Sequence, residues 1–157
     1  MPDLPACGLY LTRSPIGAVP AGRLVYFHNH GDPGPGVYLP TRWVGNEARF
    51  GQPGVVLGEV DANAALEPLA PEGLYRVVTA FDCCANHCRT FEVDSLVQLG
   101  YDGAGNAILL EPNQLDGRVA FPDRGSRIDR DRIAMLGRLR VARPRPADPN
   151  GGAETLH

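Results

Sequence analysis

The sequence predicts a mainly β fold: short antiparallel strands in a small barrel or sandwich, with two or three short helices. Three observations point there. Nineteen glycines and fifteen prolines punctuate the 157 residues, which limits helix length and favours short strands joined by turns. The apolar runs between them are rich in β-branched and aromatic residues, as in Leu24-Val25-Tyr26-Phe27. No long amphipathic helical period interrupts them, which argues against a doubly wound α/β arrangement.

Taken in order, Gly8 to Thr12 reads as the first strand, ended by Ser14-Pro15. Arg23 to His30 is the second. Its period of two puts Leu24, Tyr26, His28 and His30 on one face and Val25, Phe27 and Asn29 on the other. Gly31-Asp32-Pro33-Gly34-Pro35-Gly36 is a turn, and Gly36 to Pro40 completes a hairpin. Thr41 is placed as the cap of a short helix from Trp43 to Phe50, closed by Gly51, with Trp43 and Phe50 turned inward.

Val55 to Leu57 is a further strand, and Asp61 caps a brief helix that stops before Pro68. Gly73 to Phe81 runs as one strand into a cysteine cluster, and Arg89 to Val93 runs out of it. Leu96 to Tyr101 and Ala107 to Leu110 flank Asp102-Gly103-Ala104-Gly105-Asn106, a hairpin loop by its residues of easy positive φ. Arg118 to Phe121 is a strand, Asp129 caps a helix from Arg130 to Leu136 closed by Gly137, and Arg138 to Val141 is the last strand. Residues 1–143 are read as a single compact β-rich domain and 144–157 as a disordered C-terminal tail.

Composition narrows the function classes. Hydrophobic residues at 43% and charged residues at 21% describe an ordinary soluble protein, and a formal charge of −3 offers no general attraction for nucleic acid or anionic membrane. The N-terminus carries no basic segment followed by an apolar run, and no apolar stretch reaches the ~18 residues of a membrane span. A cytoplasmic protein without a membrane partner is the expectation. In a reducing compartment, clustered cysteines serve metal binding or catalysis more often than disulfides.

Cys83-Cys84-Ala85-Asn86-His87-Cys88 gathers three of the four cysteines and one of the four histidines into six residues. Zinc takes about four sulfur or nitrogen ligands in a tetrahedron, and ligands two to four residues apart suit a single turn. Cys84-x-x-His87 and Cys84-x-x-x-Cys88 meet that spacing. Adjacent Cys83 and Cys84 point apart in an extended strand, so both reach one ion only if the backbone bends. Any missing ligand is sought in Cys7, His28 or His30. The expected metal set is therefore Cys83, Cys84, His87, Cys88, His28, His30 and Cys7, with zinc as the cofactor.

His28-x-His30 projects two imidazoles from one strand face, but a cupin would place a carboxylate where Gly34 and Pro35 stand. Two other readings of the cluster stay open. In one the thiols are simple small hydrophobes of the core; in the other Cys84 or Cys88 is a nucleophile beside His28 or His30, oriented by Asp32 or Asp82. Near the C-terminus, Arg118, Arg124, Arg127, Arg130, Arg132, Arg138, Arg140, Arg143 and Arg145 form a basic segment, read as a solvated face before a phosphate-binding patch.

The functional expectation is a small binding or accessory module acting through protein contacts and stabilised by a structural zinc at the Cys83–Cys88 turn. The alternatives are a small metal- or cysteine-dependent enzyme using that turn with His28 and His30, and a nucleic-acid-binding accessory protein using Arg118 to Arg145. No catalytic or organic-cofactor residue is assigned.

Overall fold

The computed structural model describes residues 3–31, 33–51 and 54–144 and is mainly β. The N-terminal half supplies β1 (Gly8–Thr12), β2 (Leu24–His28), β3 (Gly36–Tyr38), β4 (Pro40–Val44), β5 (Glu47–Phe50), β6 (Val55–Val56), the single helical turn α1 (Ala62–Ala65) and β7 (Leu66–Pro68). Five of these strands make an antiparallel sheet in the order β6-β3-β2-β1-β7.

Cross-strand register decides which side chains meet. Tyr10 lies opposite Val25, and Phe27 opposite Val37, so all four share one face. The Tyr10 and Phe27 rings meet edge to face at 5.9 Å. Ile16, Val19, Leu57, Ala62, Ala65 and Leu66 close that face into a core. Asp61 caps α1 by accepting the Asn63 N–H at 3.0 Å. From the opposite face Leu24 and Leu9 reach a second core, and Tyr26 packs on Phe50 at 5.7 Å.

The second half supplies β8 (Gly73–Val77), β9 (Phe81–Asp82), β10 (Thr90–Phe91), β11 (Leu96–Tyr101), β12 (Ala107–Leu110), β13 (Asn113–Leu115), β14 (Arg118–Ala120), β15 (Ser126–Ile128), a 3₁₀ helix (Arg130–Met135) and β16 (Leu136–Arg138). Its antiparallel sheet runs β15-β12-β11-β8-β16. Period-two alternation sends Tyr75, Val77, Val97, Leu99, Tyr101, Ala107, Leu109 and Ile128 to one buried face. The two sheets are tied by a backbone bond, Leu24 N–H to Gly103 O at 2.9 Å, and Gln98 Nε2 of the second sheet donates to Gly45 O in the β4–β5 loop at 2.8 Å.

Several expectations are met and others are corrected. The β2–β3 and β11–β12 hairpins, the Asp61 cap and the helical turn after Asp129 are all present. Among the described residues both large sheets are open, so no closed barrel forms. The expected helix from Trp43 to Phe50 is instead the β4–β5 hairpin. Gly45 and Asn46 take φ of +58° and +65°, the pair of left-handed residues that closes a two-residue hairpin loop. Trp43 is consequently 43% exposed, its indole N–H donating to Tyr101 O at 2.8 Å.

The long strand expected from Gly73 breaks after Val77 and resumes as β9, while the last strand begins at Leu136 rather than Arg138. No described helix is long and apolar enough to cross a membrane. The tail expected from 144 lies, beyond Pro144, outside the described residues, as do Asp32 and Arg145.

Candidate metal centre

The cysteine turn is the loop of the β9–β10 ribbon. That ribbon has only two residue pairs, Asp82 with Thr90 and Phe81 with Phe91, and it is seated by the stacked Phe81 and Phe91 rings at 5.1 Å. Cys83 N–H donates to Arg89 O at 2.9 Å, and Cys83 O accepts Asp129 N–H at 3.0 Å, so the root of the turn is held on both sides. His87 N–H donates to Cys84 O at 3.1 Å, and His87 takes a left-handed φ of +54°. The chain thereby reverses within the six residues.

This reversal supplies the bend that two adjacent cysteines need. Cys83 Sγ lies 3.6 Å from Cys84 Sγ, and Cys84 Sγ lies 3.8 Å from Cys88 Sγ. All three sulfurs fall within 4.8 Å of one another and could hold a metal ion. None is disulfide-bonded. Cys83 is buried in the second core, Cys84 is half-buried and Cys88 is exposed.

The electrostatics single out Cys84. The backbone N–H of Asn86, then the Cys83 thiol and the N–H of Cys88, hold its thiol below the ordinary range. Cys84 in turn pushes the Cys88 thiol up. Arg89, Ser126, Arg127 and Asp129 line the cleft beside the sulfurs. Arg89 itself is anchored by a two-pronged contact to Glu111, at 2.9 and 3.3 Å.

His87 does not join the three sulfurs. Its Nδ1 meets the Asp82 carboxylate, which also accepts the Thr90 hydroxyl at 2.6 Å. The Thr90 hydroxyl first, and His87 second, hold Asp82 below the usual carboxylate range. Asp82 is thus engaged at the ribbon itself and does not orient His28 or His30.

Cys7, His28 and His30 form a second cluster instead of completing the first. The pairing of Gly8 with Phe27 sets the residue before β1 opposite the end of β2, which brings Cys7 to the histidines. Cys7 Sγ lies 3.7 Å from His30 Nδ1, and the two imidazole rings are 4.0 Å apart. The expected seven-residue set is therefore divided into two triads, with His87 apart from both.

Two residues that the sequence reading passed over bear on these sites. Asn29 accepts from Cys7 Sγ at 3.1 Å, meets His30 Nδ1 at 2.7 Å and donates through Nδ2 to Pro5 O at 3.2 Å. A polar residue between two histidines on a strand was the available signal. Glu72 lines a cleft with Cys7, Leu9, Tyr26 and Phe50, and burial pushes its carboxyl up to about 7 despite the Ala48 N–H bonds that lower it. Nothing in Pro71-Glu72-Gly73 announced that burial.

Several arginines of the C-terminal segment have local partners. Arg130 pairs with Glu67 at 3.3 Å and Arg127 donates to Asn106 Oδ1 at 2.7 Å. No family model, curated protein or solved structure matches the chain.

Proposed function

We propose that the chain is a small β-rich binding module whose β9–β10 turn is braced by one zinc ion on Cys83, Cys84 and Cys88. The observation that carries this reading is the sulfur spacing. A tetrahedral zinc with Zn–S bonds of ~2.3 Å spaces its sulfurs by about 3.8 Å, and the two recorded separations are 3.6 and 3.8 Å. Backbone N–H groups aimed at Cys84 Sγ are the outer-shell donors that favour a thiolate ligand. Three thiolates around a divalent ion carry one net negative charge, and Arg89 and Arg127 line the same cleft.

The contact surface in this reading centres on Trp43. It stands half-exposed over a cleft shared with Ile108 and Leu110, and an indole beside an apolar cleft is a typical anchor for a protein partner. One further reading draws on a specific observation: three protein ligands leave a fourth zinc position open, as catalytic sites do. The arginine segment gains no comparable support, and salt-dependent binding to a generic duplex tests it.

The deciding experiment is elemental analysis of the full chain purified under reducing conditions without added metal. Cys84→Ser is expected to carry one zinc equivalent fewer than wild type. Metal-free protein that takes up no zinc at the turn overturns the reading.

A further inference from the structure

We infer that Cys7, His28 and His30 form a second metal site of different donor chemistry, one sulfur and two nitrogens, for a divalent first-row transition ion. It does not rest on the turn. The thiol sulfur and one nitrogen from each imidazole lie within 4.8 Å of one another. An ion with Zn–S of ~2.3 Å and Zn–N of ~2.0–2.1 Å spaces sulfur from nitrogen by about 3.5 Å, and Cys7 Sγ stands 3.7 Å from His30 Nδ1.

The surrounding bonds have the form of a supported metal site. His28 Nδ1 faces the His30 carbonyl oxygen, the kind of backbone acceptor that orients a metal-ligating imidazole. Asn29 Oδ1 accepts from both Cys7 Sγ and His30 Nδ1, at 3.1 and 2.7 Å, which keeps the two atoms close in the metal-free chain. An ion replaces these bonds, sending the thiol proton to solvent and the imidazole proton to Nε2, while the Asn29 backbone N–H still donates to Cys7 Sγ at 3.3 Å. The segment carrying Cys7 is itself tied down, by Tyr10 OH to Ala6 O at 2.7 Å and by Asn29 Nδ2 to Pro5 O.

The two triads separate by ligand softness. Three thiolates suit zinc and other thiophilic ions, whereas two imidazoles with one thiolate also suit cobalt(II) and copper(II). A divalent ion at Cys7 leaves a net charge of +1 there, against −1 at the turn. Three donors leave a coordination position open to water or a small anionic ligand.

The test uses the full chain, metal-free and reduced, titrated with cobalt(II) and then zinc(II), with bound metal counted by equilibrium dialysis. Wild type is expected to bind two equivalents. A Cys84→Ser/Cys88→Ser variant keeps one equivalent, with a thiolate-to-cobalt absorption band from a single sulfur. Adding Cys7→Ser or His30→Gln to that variant abolishes the band and weakens binding beyond the ~10–100-fold that loss of an outer-shell partner costs. A cooperative unfolding transition in each variant shows that the fold is intact, and histidine NMR signals report zinc at His28 and His30 independently of the band.

A folded Cys84→Ser/Cys88→Ser protein that binds no metal overturns the second site, as does a band that survives Cys7→Ser. The turn is judged separately, by whether Cys7→Ser/His30→Gln protein still binds one equivalent.

Discussion

Serine substitution at the three turn cysteines separates a metal brace from a set of packed thiols. Without metal, the cost of each change follows burial. Cys83 is 5% exposed among Tyr75, Phe81 and Phe91, and a hydroxyl placed there without a partner costs about 1–3 kcal/mol. Cys84 is half-buried and Cys88 exposed, so Cys84→Ser and Cys88→Ser cost within about 0.5 kcal/mol. With free zinc held about a thousandfold above the dissociation constant, binding adds about 4 kcal/mol of stability, less any affinity of the unfolded thiols. Each of the three variants then forfeits that linkage. At a urea dependence of ~2 kcal/mol/M, the loss moves the unfolding midpoint by about 2 M.

The assay is urea unfolding of wild type and the three variants, in chelator and in a zinc buffer. The expected pattern is one destabilised variant in chelator and three in zinc. A Cys88→Ser protein indistinguishable from wild type in both buffers would refute the metal argument and leave Cys83 as a core residue only.

Two further outcomes follow from single residues. Glu72 titrates at about 7 in the folded chain against an ordinary value of 4.5. Folding therefore favours its protonated form, so the stabilisation is complete below about pH 4.5 and is lost as pH rises through about 7. Discounted for partial exposure, the loss is about 1–2 kcal/mol. Denaturant melts from pH 5 to 8 should show this slope in wild type, and Glu72→Gln should flatten the difference; equal slopes refute it. Asp102 Oδ1 accepts the N–H groups of Ala104 and Asn106 at 3.0 and 2.9 Å, and Oδ2 accepts Asn106 Nδ2 at 2.9 Å. Asp102→Ala should therefore cost about 1–2 kcal/mol in thermal unfolding, with Asp102→Asn recovering part of it.

How much of this was legible in the sequence depended on the range of the interaction. Local signals translated well: Asp61 before a short apolar run became a helix cap, and Asp102 to Asn106 became a hairpin loop. Gly45-Asn46 was equally local and was misread, because Trp43, Glu47 and Phe50 also fit a helical face. The left-handed preference of glycine and asparagine decided in favour of the hairpin. The short strands β7, β13 and β15 carry no period of their own and exist through their partners. At the sites, the cysteine turn was visible because its ligands are neighbours in the chain. The separation of Cys7, His28 and His30 from it was not, since that depends on the register of β1 against β2.

The placement of the turn also argues for why a brace belongs there. A two-stranded ribbon is marginal on its own even at greater length, and β9–β10 has only two residue pairs. Its inner end is secured by the Phe81–Phe91 stack and by the two backbone bonds of Cys83. Its outer end holds a non-glycine residue, His87, at φ +54°, a conformation that costs of order 1 kcal/mol unless the surroundings impose it. The Asp82 contact steadies the His87 ring but crosses only the ribbon's own width. Cys84 and Cys88 lie on that outer loop, while Cys83 lies in the core. An ion shared by the three sulfurs would join the loose end of the ribbon directly to the packed interior, which neither the stack nor the Asp82–His87 contact can do.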